Sequence, residues 1–181
     1  MITYPDNVTC LADYIESVMQ RFADRPAYTA LGQTLTFAEI DSKSSALARY
    51  FVHEAKLTPG TKVAIQLPNL IQNPIVVYAA LRAGLVVVNT NPLYTEREMK
   101  HQFTDSGAKA LVILGDLLPK FTSIKNDTSI NTVITTSATE LLDPNTAPAL
   151  DGTVSLSQAV EIGKGLPQFE RPKIQLDDLA M

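Results

Sequence analysis

Residues 85–114 read LVVVNTNPLYTEREMKHQFTDSGAKALVIL, and this stretch decides the fold. Residues 85–88 are a continuous apolar run, rich in β-branched side chains, and residues 109–114 contain a second apolar run. Such runs are typical of strands buried on both faces of a parallel sheet, because a strand with one exposed face would alternate apolar and polar residues. The stretch therefore predicts two parallel strands.

The segment between these two strands carries the signals of a helix. Thr95 and Glu98 have the spacing of a capping box, in which each side chain bonds the backbone N–H of the other residue. The helix is predicted to end at Gly107, because glycine adopts the left-handed conformation of helix ends at low cost. Since parallel strands require a crossover of this kind, residues 85–114 predict one strand–helix–strand unit.

Helices and strands alternate along most of the remaining chain. Thr36 and Glu39 repeat the capping-box pattern at the start of another helix. The further predicted elements are a helix at residues 9–22 capped by Thr9, a hairpin of residues 27–30 and 34–37, a helix from residue 36 to about 54, a strand at 62–67, a helix at 71–83, a helix from 116 to about 125 and a strand at 131–136. This order predicts a doubly wound, mostly parallel open α/β sheet with flanking helices and a small β-hairpin near the N-terminus.

Residues 137–181 have a different character. Proline and glycine interrupt them repeatedly, and only residues 155–162 show the pattern of a short helix. Residues 174–181 are acidic and then apolar, as at the start of a strand. We therefore predict an α/β subdomain at residues 1–136, followed by an irregular connection at residues 137–181, which together make a partial domain.

Composition and charge narrow the class of protein. The chain has 181 residues, of which 45% are hydrophobic and 19% charged, as is typical of a globular domain. Its 15 basic and 19 acidic residues give a net charge of −4, and the basic residues are scattered singly, which argues against nucleic-acid binding. Cys10 is the single cysteine, which excludes an intramolecular disulfide and a cysteine cluster for a metal.

The sequence also bears on location. The amino-terminal residues include Asp6, Asp13 and Glu16 and lack the apolar core of a signal peptide. No uninterrupted apolar run approaches the roughly 20 residues of a membrane-spanning helix. We predict a cytoplasmic location, with peripheral contact to the inner face of the membrane as an open alternative.

Three polar residues that follow the first strand of the opening stretch are candidates for a ligand site. Asn89, Asn91 and Tyr94 come directly after that strand, and open α/β sheets usually bind ligands at the carboxyl ends of their strands. Turn chemistry also explains the Asn91-Pro92 pair, since asparagine bonds its own backbone and proline fixes φ. We favour the structural explanation.

Other charged and reactive side chains have simple structural explanations. Arg97 and Lys100 are candidates for phosphate contact, but isolated surface bases usually only solvate a helix face. His101 is best explained as a polar group on the helix surface. The further candidates are His53 at a helix end, Cys10 as an unreactive thiol near the first helix, and Asp177 with Asp178 as a solvated boundary. We assign no catalytic, cofactor-binding or metal-binding residue in this chain.

Four segments resemble a known enzyme family. They are VAIQLPN at residues 63–69, ALRAG at 80–84, NTNPLYT at 89–95 and EMKHQFTDSGA at 98–108. In this order they resemble the amino-terminal part of adenylate-forming acyl-CoA synthetases, and most of all bacterial-type long-chain fatty-acid–CoA ligases. The resemblance covers roughly residues 10–136, so it is far more specific than a single short motif. The connection after residue 136 matches poorly.

The resemblance implies a two-step reaction of the full-length enzyme. A fatty carboxylate attacks the α-phosphate of ATP to give acyl-adenylate and pyrophosphate, and the thiol of coenzyme A then displaces AMP. The family performs this chemistry with a Gly/Ser/Thr-rich phosphate loop, an acidic group near Mg²⁺ and a lysine, all of which lie downstream of the segments matched here. The phosphate loop would begin within a few residues after Met181, and no such glycine pattern occurs in this sequence.

These observations predict that the chain is a scaffold portion of the ligase and is inactive alone. ATP, Mg²⁺ and coenzyme A are implied for the full-length enzyme, and no cofactor is expected on this chain. The expected partners are the remainder of the same polypeptide and the substrates, with a homo-oligomer left open.

Two alternatives remain at this stage, a non-catalytic interaction or dimerisation module and a small flavodoxin-like nucleotide-binding domain. The sequence leaves open the acyl-chain length preference, the oligomeric state and whether the end at Met181 is natural, engineered or proteolytic.

Overall fold

The chain folds into a five-stranded parallel sheet with helices on both faces and a separate two-stranded hairpin. The structure is a computed structural model and describes residues 8–148, 150–175 and 177–181. Its strands are β1 (Pro26–Ala30), β2 (Gln33–Thr36), β3 (Lys62–Gln66), β4 (Val86–Asn89), β5 (Ala110–Leu114), β6 (Thr132–Thr136) and β7 (Val154–Ser155). Its α-helices are α1 (Leu11–Arg21), α2 (Phe37–His53), α3 (Gln72–Arg82), α4 (Glu96–Ser106), α5 (Leu118–Ile124) and α6 (Leu156–Gly165).

The strand order of the main sheet is β4-β3-β5-β6-β7, with all neighbours parallel. β3 lies between β4 and β5, so Val63 is in register with Val87 on one side and with Ala110 on the other. The antiparallel hairpin β1-β2 forms its own sheet. The predicted doubly wound α/β fold with a small hairpin is confirmed.

The side chains of the sheet divide between two hydrophobic cores, one on each face. Ile65 faces the larger core, which contains Phe51 and other residues of α2, α3 and α6. Ala64, the preceding residue, faces the smaller core, which contains Phe103 of α4 and Phe121 of α5. Successive strand residues point to opposite faces, and both faces are covered here, which is why the central residues of β3, β4 and β5 are apolar.

Both predicted capping boxes are present. The backbone N–H of Thr36 donates to the Glu39 carboxylate at 2.8 Å, and the backbone N–H of Glu39 donates to the Thr36 hydroxyl at 3.2 Å. Thr95 and Glu98 make the same pair of bonds at 2.8 and 3.4 Å. The Thr95 backbone N–H and hydroxyl both donate to the Glu98 carboxylate, which lowers the pKa of Glu98. Gly107 ends α4 in the left-handed conformation, with φ 67°. These signals are local, so they determine the helix ends without help from distant residues.

Two helices differ from their predicted forms. Cys10, not Thr9, is the cap residue of α1, because the Thr9 hydroxyl and backbone N–H both donate to the carboxylate of Asp13. The helix predicted from residue 116 is a short 3₁₀ turn at Gly115–Leu117 followed by α5. Pro119 lies in the first turn of α5, where its missing N–H is tolerated.

Residues 137–181 contribute more to the fold than a plain connection would. β7 pairs with β6 in the main sheet, and α6 packs on α2 with Leu156, Ala159 and Val160 in the larger core. The division of the chain at residue 136 stays a prediction, but residues 154–165 share the sheet and the core of the preceding part. Residues 1–7, and Leu176 within the predicted strand start, lie outside the described residues.

A buried carboxylate joins this later part of the chain to β6. Glu140 is 1% exposed and accepts a hydrogen bond from the Thr136 hydroxyl at 2.6 Å. It also accepts bonds from the backbone N–H of Ser157, at 2.7 Å, and from the Ser157 hydroxyl. Ser157 lies in the first turn of α6, where a negative charge is favourable. Glu140 therefore fixes the start of α6 against the end of β6.

The close approach of α6 to α2 gives a test of this packing. A Cβ on Gly163 would lie 1.9 Å from the backbone oxygen of Ala46, whereas a Cβ on Gly165 would meet no atom within 4 Å. We expect Gly163→Ala to lower the free energy of unfolding by about 1–3 kcal/mol, because the backbone of α6 or α2 must shift to make room for the added Cβ. Gly165→Ala, the matched control on the same helix, should change it by less than about 1 kcal/mol. Urea unfolding of both variants measures this, and equal effects would contradict the described packing.

Candidate functional site

The candidate site lies at the carboxyl edge of the main sheet, where β3 and β4 both end. Because the two strands are parallel and adjacent, the loops that follow them leave the sheet on the same side. Asn69 lies in the loop after β3, and Asn89 is the last residue of β4. The predicted location, beyond the carboxyl ends of parallel strands, thus brings together residues from two loops.

A cleft of about 490 Å³ opens at this edge. Its walls come from the hairpin, from the β3–α3 loop and the start of α3, from the end of β4 and from the last residue of the chain. The lining residues are Tyr28, Thr29, Ala30, Asn69, Leu70, Ile71, Asn73, Pro74, Val77, Tyr78, Asn89 and Met181. No side chain in this lining carries a charge at neutral pH.

Two tyrosines in the cleft wall are joined by a hydrogen bond between their hydroxyl groups. The hydroxyl oxygens of Tyr28 and Tyr78 lie 2.5 Å apart, and the two rings are tilted by 56° with centroids 6.5 Å apart. Burial, reinforced by the bond to Tyr28, raises the pKa of Tyr78 above the ordinary value. The Tyr78 hydroxyl therefore stays protonated at neutral pH, and the bond to Tyr28 joins the hairpin to α3.

Glutamine side chains from β3 and α4 bond the backbone at the end of β4 and in the loop that follows it. The Gln66 amide donates to the backbone oxygen of Asn91 at 3.1 Å, and the Gln102 amide donates to the backbone oxygen of Asn89 at 2.9 Å. The side-chain oxygen of Asn91 accepts the backbone N–H of Leu93 at 2.9 Å. This last bond is the turn chemistry that the sequence favoured for Asn91, and it occupies the side chain within its own loop.

The structure separates the three residues that the sequence singled out. Asn89 lines the cleft, and its amide nitrogen lies 3.6 Å from the sulfur of Met181. Asn91 is outside the cleft lining, and Tyr94 packs half-buried against the smaller core. Sequence reasoning missed Tyr28 and Tyr78, because these residues are 50 positions apart and neither has a local signal for a shared site.

The candidate cations also lie outside the cleft lining. Lys100 pairs with Asp127 at 2.8 Å, and both side chains are half exposed, so this is an ordinary surface ion pair. Arg97 and His101 are exposed on α4. His53 lies in the last turn of α2, with its ring edge-on to Phe169 at 6.4 Å between centroids. None of these positions offers a base or a phosphate ligand to the cleft.

The remaining candidates have structural surroundings. Cys10 is 3% exposed and belongs to a small apolar cluster with Ala12 and Leu81. Asp177 and Asp178 are exposed, and the Asp178 carboxylate accepts the backbone N–H of Gln175 at 2.8 Å. Within the described part of the chain, no group of three or more His, Cys, Asp or Glu side chains is arranged to hold a metal ion.

The cleft lining is therefore suited to contact uncharged groups. Its amides and phenols donate and accept hydrogen bonds, and its aliphatic residues offer apolar surface. Stabilising the charge that develops on a phosphate during transfer needs cations, a metal or several convergent N–H donors. The side chains of the cleft lining include neither a cation nor a carboxylate that could bind a metal.

Several known proteins resemble the chain over most of its length. A family model described as AMP-binding enzyme matches residues 15–181. A long-chain-fatty-acid–CoA ligase of Haemophilus influenzae is 36% identical over 186 residues, which cover 94% of this chain and 33% of that protein. A ligase of the same name from Escherichia coli is 40% identical over 132 residues, which cover 73% of this chain and 24% of the Escherichia coli protein.

Solved structures show the same fold. A long-chain-fatty-acid-CoA ligase from Archaeoglobus fulgidus matches 96% of this chain with a TM-score of 0.76 and 24% identity, over 33% of its own length. An anthranilate CoA ligase in complex with anthranoyl-AMP matches 95% of this chain with a TM-score of 0.80 and 14% identity, over 31% of its length. The chain thus spans between a quarter and a third of the length of these relatives.

The tyrosine pair gives a test of the cleft wall. Tyr78→Phe removes one hydroxyl and leaves that of Tyr28 without this partner, so we expect the free energy of unfolding at pH 7 to fall by about 0.5–1.5 kcal/mol. Tyr14→Phe, at an exposed position on α1, is the control and should change it by less than about 0.5 kcal/mol. Urea unfolding measures both.

The same variants test the raised pKa of Tyr78. A pKa that is higher in the folded state than in the unfolded state gives stability that is complete below the ordinary tyrosine value of about 10 and is lost as the pH rises above it. Wild-type protein should therefore lose stability more steeply above pH 10 than Tyr78→Phe does. Parallel pH profiles for the two proteins would contradict the assignment.

Proposed function

The chain belongs to the family of AMP-binding enzymes, and we propose that it is the amino-terminal scaffold of a long-chain fatty-acid–CoA ligase. The observation that carries the proposal is its 32–40% identity to bacterial proteins that bear this name, including one matched over 94% of this chain. Since the chain spans only 24–34% of the length of those proteins, the activity proposed here is that of the longer enzyme.

The proposed reaction joins a fatty acid to coenzyme A. A fatty carboxylate oxygen attacks the α-phosphorus of ATP, forms the acyl-adenylate and expels pyrophosphate. The thiolate of coenzyme A then attacks the acyl carbon and expels AMP, which leaves the thioester. When bound, Mg²⁺ would offset the charge of the phosphates in the first step.

The residues of this chain do not fit the Mg²⁺ and phosphate sites of that reaction. Among the side chains of the cleft lining there is neither a carboxylate nor a cation, and Lys100 is paired with Asp127. We therefore derive no step of the reaction from this chain. Its proposed part is to build the parallel sheet and to present the loops after β3 and β4 at the edge where the rest of the enzyme would complete the site.

The purified chain should not perform the adenylation step. We expect pyrophosphate release from ATP and a long-chain fatty acid to stay at the level measured without protein, because the charged groups of that step are missing from the cleft. The Haemophilus influenzae relative, assayed in parallel, is the positive control for the measurement. Pyrophosphate release that rises in proportion to the concentration of the purified chain would refute the scaffold role.

An extended reading frame provides a separate test of the ligase assignment. If the coding sequence beyond Met181 continues into a Gly/Thr-rich loop followed by lysine, the longer protein should form acyl-CoA from a fatty acid, ATP and coenzyme A. An immediate natural stop would favour the alternative, an interaction or dimerisation module. A flavodoxin-like nucleotide site would instead raise the unfolding temperature with ATP, AMP or FMN.

The sheet edges favour the scaffold over the interaction module. An open edge strand is the usual route to pairing between chains, but the outward N–H of Val87 on β4 is bonded to Ala180. The opposite edge strand, β7, has only two residues, and short edge strands pair poorly.

We therefore expect the chain to be monomeric by light scattering across a dilution series. A dimer that dissociates on dilution would support the interaction module instead.

The cytoplasmic location stays a prediction. Within the described residues, no helix combines the length and the apolar character needed to cross a membrane.

A further inference from the structure

The last described part of the chain, residues 166–175 and 177–181, runs along the surface from α6 to the candidate cleft, and we call these residues the strap. It begins at Leu166, whose backbone oxygen accepts a bond from the Arg49 guanidinium of α2 at 3.2 Å. Phe169 then lies edge-on to the ring of His53, at the end of the same helix. The strap ends at Met181, which lines the cleft.

Arg171 ties the middle of the strap to α1. One nitrogen of its guanidinium donates to the carboxylate of Asp13, and the other donates to the carboxylate of Glu16. The Arg171 side chain is 30% exposed, so these pairs are more sheltered from solvent than ordinary surface ion pairs. Glu16 also pairs with Arg82 of α3 at 2.7 Å. The strap is thus joined to a network of charges that links helices of the body.

Pro172, the residue after Arg171 in the strap, packs against Gly84. A Cβ at Gly84 would lie 2.6 Å from Cγ of Pro172, and 3.4 Å from Cδ1 of Ile174. The backbone of Gly84 is also left-handed, with φ 69°, and its oxygen accepts the N–H of Gly60 at 2.8 Å. Glycine is therefore required twice at this position, once for its backbone conformation and once for the path of the strap.

The end of the strap lies along the outer edge of β4. The backbone oxygen of Ala180 accepts the N–H of Val87 at 2.9 Å, and the sulfur of Met181 lies 3.6 Å from the amide nitrogen of Asn89. A cavity of about 620 Å³ lies between the strap and the body, lined by residues of both. The strap is therefore attached at separate points rather than by continuous packing, and each attachment should matter individually.

We propose that Arg171 and Gly84 are positioning residues that hold the strap on edge strand β4 and so place Met181 in the wall of the candidate cleft. Arg171 holds two carboxylates of α1 at once, and the planar guanidinium suits this geometry better than an ammonium does. Gly84 leaves room for Pro172. These roles of Arg171 and Gly84 belong to the fold of this chain. They go beyond the ligase proposal and do not depend on it.

Amide hydrogen exchange, followed by NMR on the purified chain, tests the role of Arg171. The N–H of Val87 is bonded to the strap, whereas the N–H of the preceding residue, Val86, is bonded inside the body to the oxygen of Thr61 at 2.9 Å. In Arg171→Ala, exchange at Val87 should become at least about tenfold faster with little change at Val86, because loss of the charge-assisted bonds lets the strap open locally. Arg171→Lys should restore part of the protection.

The control for this variant removes a cation that does not touch α1. Lys164→Ala breaks the exposed pair with Glu161 on α6 and should leave exchange at Val87 unchanged. If Arg171→Ala fails to fold, Asp13→Asn removes one of the two charged partners more gently and should give a smaller acceleration at Val87 alone. Unchanged protection of Val87 in a folded variant, or equal acceleration at Val86 and Val87, would overturn the proposal.

A matched pair of glycine variants tests Gly84. Gly84→Ala and Gly107→Ala both place a side chain on a left-handed backbone, at φ 69° and 67°, but only at Gly84 would the added Cβ meet the strap. We expect both variants to lose stability and only Gly84→Ala to expose Val87 selectively to exchange. Equal protection of Val87 in the two variants would show that Gly84 does not position the strap.

Discussion

The parallel pairing of β3 with a neighbour on each side is the constraint on which the rest of the structure depends. β3 exchanges backbone bonds with β4 and with β5, so neither edge of it reaches solvent, and its side chains are buried on both faces. A strand of this kind needs crossover helices above and below the sheet. The two cores, the crossover helices α3 and α4, and the shared carboxyl edge of the loops all follow from it.

Local chemistry made much of this architecture predictable. The apolar runs and the capping boxes at Thr36 and Thr95 involve residues within one or two turns of each other, so sequence patterns describe them well. The short strand β7 and the buried carboxylate of Glu140 could not be predicted in the same way. They depend on partners 17 or more positions away, such as Ser157, and the sequence nearby has the prolines and glycines of a loop.

The candidate site shows the same division between local and distant signals. Parallel strands present their loops at one edge, and Asn89 lies at that edge in the cleft lining, while the turn formed by Asn91 follows from asparagine's own chemistry. The tyrosine pair comes from a hairpin and a helix 50 positions apart, so only the folded chain reveals it.

The pairing of the strap with β4 has a consequence for synthesis of the protein. Asn89 and Met181 are 92 positions apart, so the outer edge of β4 leaves the ribosome long before its partner does. At about 5–20 residues per second, this edge waits roughly 5–18 s. During that time an apolar strand edge is open to pairing with other chains. Nascent chains would therefore depend most on chaperones in the interval between the two segments.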